Sequence, residues 1–379
     1  MFRSRVAVFL ILLISSRFCC AGPKGQRQFE VTGYVFTRGT ALTPGQVDAG
    51  GLTRINYAFS NIQGGRIVLG ASVDAQNFAT LRQMRNSNPG LTLLVSVGGW
   101  LWSTNFSEMA LTAESRRAFE DSVMMFLTQY DLDGLDIDWE YPGMPGAGHP
   151  FRPEDKQNFT ALLRELRARF DTVTRRSGKR LYLTVAMGAS DDVIANTEMQ
   201  KVQKYVDTVN LMAYDYYEPG SESVTGNHAP LFVNPSDPKK VAAAESVRAY
   251  EKAGVPSEKI LLGVPFYGHE WGDVPDQNHG LFQTGKPIPK AYAPFNVIES
   301  NMLGHGFTRY WDDKAQVPYL YSPEQRIFVS YEDPESLKAK CKYIRDQKLG
   351  GVMFWEYFGD SGGKLLRTID SELNRHGSN

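Results

Sequence analysis

The sequence predicts an α/β fold: a closed (β/α)8 TIM barrel with a small α+β insertion between the seventh strand and its helix. Three observations lead there. Eight short β-rich runs alternate with amphipathic helical runs along the 379 residues, and such alternation builds βαβ units around a parallel sheet. Eight parallel strands are the number that closes into a barrel. One connection, residues 268–332, is rich in Pro, Gly, Tyr and Phe and too long for a structureless loop. A doubly wound open sheet is the runner-up, but no Gly-rich phosphate loop follows the first strand.

The elements follow in order. The chain opens MFRSRVAVFLILLISSRFCCAG. Arg3 and Arg5 form a positive start, and Val6 to Ile14 form an apolar core too short to span a bilayer. This pattern fits a secretory signal peptide, residues 1–21, cleaved after Ala21. A lipoprotein at Cys19 or Cys20 would want small residues where Arg17 and Phe18 stand. Cleavage removes three arginines and takes the formal charge from −1 to −4. The remaining chain, 22–379, reads as one secreted domain. Its strands are expected at 30–36, 53–60, 91–97, 132–140, 181–187, 206–213, 259–266 and 350–356. Helices are expected at 113–129, 154–175, 238–253 and 334–348, among others.

Composition excludes several classes. No basic stripe or acidic tail marks a nucleic-acid partner. One cysteine, Cys341, remains after cleavage, so no internal disulfide is expected, and its helical setting SLKAKCKYIRDQ reads as a buried structural thiol. No Cys/His cluster has metal-ligand spacing, so neither metal nor cofactor is expected. A monomer without membrane contact is expected after cleavage. Asn105 and Asn158 head glycosylation sequons, which matter only in a eukaryotic source.

The stretch DGLDIDWEYPG at 133–143 carries the chemistry. Asp136, Asp138 and Glu140 alternate with Leu135, Ile137 and Trp139, so the three acids share one face of a strand. Burying unpaired like charges costs several kcal/mol and pushes at least one pKa up. A solvated edge does not explain the apolar residues between the acids. The acids therefore read as a functional stack, with Glu140 toward the C-terminal rim, where barrels of this kind act.

DGLDIDWE resembles the D-G-x-D-x-D-x-E signature of glycoside hydrolase family 18, the chitinases. Four further stretches resemble that family in strand order: SVGGW (Ser96 to Trp100), LMAYDYY (Leu211 to Tyr217), GVPFYG (Gly263 to Gly268) and GVMFWEY (Gly351 to Tyr357). The segment 268–332 resembles the chitinase insertion domain. The resemblance implies a retaining, substrate-assisted hydrolysis of β-1,4 links between N-acetylglucosamine units. In it Glu140 is the general acid and base, and Asp138 orients the acetamido group that supplies the nucleophile. Asp136 exchanges a proton with Asp138, Tyr214 holds the acetamido carbonyl, and Asp215 supports the distorted sugar. This agrees with the strand geometry. Acids two residues apart lie about 6.6 Å from each other on one side, whereas an ordinary two-carboxylate glycosidase places its acids on opposite sides of the scissile bond.

The resemblance also implies sugar contacts at Trp355, Trp100, Tyr34, Phe59, Met212 and Tyr267. Two positions depart from it. Arg38 stands after the first strand where many animal members have tryptophan, and His269 stands in FYGHEW where arginine is common. His149 and His228 fall in loops and receive no role. The substrate implied is chitin or its oligosaccharides. The alternatives are an endo-β-N-acetylglucosaminidase acting on other glycans and a chitin-binding lectin.

Overall fold

The computed structural model describes residues 29–374, so the expected signal peptide lies outside the described residues. Its strands, in chain order, are β1 Glu30–Phe36, β2 Arg54–Gln63, β3 Arg66–Val68, β4 Thr92–Gly98, β5 Gly134–Asp138, β6 Tyr182–Gly188, β7 Thr208–Met212, β8 Ile260–Pro265, β9 Tyr267–Gly272, β10 Lys286–Pro294, β11 Thr308–Asp312, β12 Val317–Ser322, β13 Ile327–Ser330 and β14 Gly351–Trp355. Eight of them pair in parallel in the order β1-β14-β8-β7-β6-β5-β4-β2, and pairing of β1 with β2 closes the ring. Both faces of these strands are buried, since helices cover the outside and side chains fill the inside. That is why they read as near-continuous apolar runs.

The helices start where local chemistry lets them. Ala113–Tyr130 opens on a capping box between Thr112 and Ser115. Pro334–Asp346 opens on another, between Asp333 and Ser336, with proline in its first turn. Cys341 lies on the buried face of this second helix, and burial pushes its thiol up to about 12. Asp155–Ser177 lies close to its expected bounds. The run expected at 238–253 is helical only over Ala243–Lys252. Asp237 accounts for this: its carboxylate accepts the N–H groups of Lys239 and Val241, holding the preceding residues in a turn with Lys240 at φ 55°.

Strand β5 also differs from expectation. It ends at Asp138, two residues before Glu140. The N–H of Glu140 leaves the ladder and donates to Ser103 Oγ at 2.9 Å. Glu140 therefore sits on the loop above the barrel, anchored from the neighbouring β4 loop.

Between β8 and the helix Pro334–Asp346 stands a second sheet, order β10-β9-β13-β12-β11, with antiparallel pairing throughout and the helix Phe295–Asn301 after β10. Trp271, Tyr319, Tyr321 and Phe328 fill its own small core. Among the described residues, no helix is long and apolar enough to cross a membrane.

Candidate active site

Strand register sets the three acids apart. Asp136 lies opposite Ser96 on β4 and Thr184 on β6. Ser96 Oγ donates to its Oδ2 at 2.7 Å and Thr184 Oγ1 to its Oδ1 at 2.5 Å. Tyr34 OH adds a bond at 2.8 Å and Asn210 Nδ2 one at 3.1 Å. Burial raises the pKa of Asp136, while the hydroxyl donors oppose that rise by stabilising the anion.

One layer higher the arrangement reverses. The partner of Asp138 on β4 is Gly98, which offers no side chain. Gly98 has φ 110°, and a Cβ there would meet the Asp138 carbonyl oxygen at 2.1 Å, so the position demands glycine. Asp138 Oδ1 is consequently buried with no hydrogen-bond partner. Burial, then the charges of Glu140 and Asp136, push its pKa well above the usual carboxylate range. Burial likewise pushes Glu140 up to about 7; a hydrogen bond with Tyr141 opposes this, and the charges of Asp215 and Glu218 add to it. A carboxyl group at that value can both give and take a proton near neutrality.

Asp138 and Glu140 open into a cavity of about 1030 Å³. Trp355 forms its floor, stacked on Phe59 at 5.4 Å and tilted against Phe36 at 5.5 Å. Met212, Tyr214 and Tyr267 line the wall. Tyr34 also reaches the cavity, but its hydroxyl is committed to Asp136. Trp100 stands at the rim, 49% exposed, with its ring edge toward Tyr141. Each residue expected to contact sugar thus borders this one space.

Several groups at the site carried no signal in the sequence reading. Phe36, Trp102 and Tyr292 line the cavity. Trp102 lies two residues past the SVGGW segment, and Phe36 ends β1, so both were within reach of the strand-end rule. Tyr292 comes from the second sheet, where no motif marks it. His149, given no role, donates from Nε2 to the Trp100 carbonyl at 2.6 Å and accepts from Thr104 at Nδ1. It ties together the loops after β4 and β5. Arg38 pairs with buried Glu356 at 3.1 Å and lies over the Phe36 ring.

Asp215 is the other centre of charge. Its Oδ1 accepts from Tyr267 OH at 2.6 Å and from His269 Nε2 at 2.8 Å, and His228 Nδ1 lies 3.5 Å away. Burial works to raise its pKa, but the two histidines outweigh that and hold it well below the usual range. Burial also lowers His228 to about 4. The ligand-type atoms of Asp215, His228 and His269 all lie within 4.8 Å of one another. Linear spacing could not show this cluster, because its members come from three separate segments.

Comparison with known proteins adds a second line of findings. The model for glycosyl hydrolases family 18 matches residues 30–360. Chitinase A1 of Niallia circulans is 39% identical over 319 residues, which are 80% of this chain and 46% of that protein. Chitotriosidase-1 of Mus musculus is 32% identical over 362 residues, 89% of this chain and 75% of the relative. A solved family 18 N-acetylglucosaminidase from Paenibacillus barengoltzii superposes with a TM-score of 0.83 at 40% identity, covering 91% of this chain and 99% of that one.

Proposed function

The chain belongs to glycosyl hydrolases family 18, and from that premise we propose that it is a secreted chitinase cleaving β-1,4 links between N-acetylglucosamine units with retention of configuration. The observation that carries this reading is Asp138: its Oδ1 is buried and unpartnered beside an acid poised near 7. An acetamido N–H folded under the sugar ring is the donor such an oxygen lacks.

Glu140 gives its proton to the glycosidic oxygen as the C1–O bond breaks. The acetamido carbonyl oxygen attacks C1 and forms an oxazolinium ion, while Asp138 accepts the N–H. Glu140, now a carboxylate, takes a proton from water, and the water oxygen opens the ring to the retained product. Burial holds the Asp138 pKa up, and the charges of Glu140 and Asp136 add to it, so Asp138 and Glu140 titrate as a coupled pair whose protons depend on one another. Asp136 lies below, with four donors on its carboxylate and a pKa that burial still raises, which suits the proton exchange with Asp138 implied by the family resemblance. Asp215 is a poor nucleophile because three groups surround one of its oxygens.

Chitohexaose hydrolysis followed by NMR tests the reading. Products with retained anomeric configuration, and inhibition by a thiazoline analogue far stronger than by N-acetylglucosamine, are expected. A glycosyl ester on Asp138 or Asp215, trapped with a 2-fluoro sugar, would overturn it. A second reading, release of single N-acetylglucosamine units, is favoured by the similarity to the Paenibacillus enzyme. In the same experiment it predicts monomer from one chain end only, with no internal cleavage.

A further inference from the structure

Beside the groove residues Asp215 and His269, His228 is fully buried, and neither of its ring nitrogens is well partnered. Its Nε2 has no partner, and its Nδ1 faces Asp215 Oδ1 at 3.5 Å, beyond good hydrogen-bond length. The loose contact is the one at Nδ1, which leaves that nitrogen free to take an ion beside Asp215 Oδ1. Facing it are His269 Nε2 and Asp215 Oδ1, 2.8 Å apart. Ligands bound tetrahedrally at about 2.0–2.2 Å stand about 3.3–3.6 Å apart, so the His228–Asp215 spacing already fits an ion, whereas His269 and Asp215 would exchange their hydrogen bond for it by parting about half an ångström. We propose that Asp215, His228 and His269 form a binding site for a divalent transition ion, zinc above all.

Two imidazoles and one carboxylate suit zinc or copper, whereas magnesium and calcium prefer all-oxygen shells. Tyr267, donating to Asp215 Oδ1 at 2.6 Å, would orient that carboxylate, and the Ser330 hydroxyl, which accepts the His228 backbone N–H at 2.8 Å, fixes the segment carrying His228. Asp215 and His269 border the cavity, so the open positions of the ion would face the groove. Zinc would therefore compete with substrate for Asp215. This inhibitory half rests on the sugar-groove reading, but the binding half does not.

The experiment uses the full chain stripped by chelator and titrated calorimetrically with Zn²⁺, without sugar. One equivalent is expected to bind, with no heat from Mg²⁺ or Ca²⁺. His269→Gln and Asp215→Asn are each expected to weaken zinc at least about tenfold in protein whose thermal melt shows it still folded, and Co²⁺ is expected to show visible absorption that His269→Gln abolishes. His228→Ala is avoided, because the buried ring also supports the fold. No zinc binding, or binding equally tight in His269→Gln and so located on exposed histidines such as His279 or His305, overturns the site. Zinc should also raise KM for chitohexaose at unchanged kcat. If zinc binds with the expected losses while the chain cleaves no chitooligosaccharide, the metal site stands and the sugar reading falls.

Discussion

Two neighbouring layers of the barrel carry the same residue type to opposite ends. In the lower layer Asp136 meets Ser96, Thr184, Tyr34 and Asn210, and its carboxylate is satisfied. In the upper layer Asp138 meets Gly98 and keeps an unpartnered oxygen. Both aspartates are buried, and both project from β5. What differs is the side chain that the adjacent strand presents at the same register. Donors offset part of the cost of burying a carboxylate. A glycine leaves it room, and an unmet demand that a ligand can fill.

The largest expected effect breaks the upper layer. Glu140→Gln removes the transferable proton and is expected to cost about 10²–10⁴-fold in kcat on chitotriose conjugates while binding persists; retention of more than a tenth of the activity removes Glu140 from the acid role. The same variant tests the electrostatics. Because folding raises the Glu140 pKa from 4.5 to about 7, its contribution to stability is full below the unfolded value and is lost as pH rises through 7. At alkaline pH the native charge costs about 3 kcal/mol. Glu140→Gln is therefore expected to melt higher than the parent above neutrality and to match it in acid, as thermal melts across pH will show.

Next comes Asp138→Asn, expected to lower kcat by about 10² and to change the shape of the pH–rate profile, since one member of a coupled set is gone. A profile merely scaled down would mean that Asp138 does not titrate with Glu140. Trp355→Ala follows. Trp355 is half-buried over Phe59 and Phe36, so its loss is expected to raise KM most and to cost less stability than the 3–5 kcal/mol of a fully buried tryptophan. A collapsed melting temperature with unchanged KM would place it in the core instead.

The smallest effect on rate is expected in the lower layer. Ser96→Ala takes one of four donors from Asp136 and is expected to cost about 1–3 kcal/mol of stability with little change in kcat. A loss of rate as large as that of Asp138→Asn would erase the distinction between the layers, and kinetics beside chemical denaturation would show it.

Much of this was readable from the chain. Strand and helix order followed from periodicity, because burial on both faces leaves apolar runs that need no partner to be recognised. The acidic alternation in DGLDIDWE pointed to the candidate site, because period two puts those acids on one face whatever surrounds them. The boundaries were less readable: the end of β5 depended on Ser103, which takes the Glu140 N–H from another loop. Which acid would be satisfied depended on the register of β5 against β4 and β6, a relation between residues some 40 to 48 positions apart. The Asp215 cluster lay further out of reach. His228 and His269 meet there only because a loop and strand β9 converge on the end of β7. Local sequence determines period and capping because those interactions span a few residues. Pairing across strands and loops is decided only when the barrel closes, and at this site that closure sets each carboxylate's partners and charge.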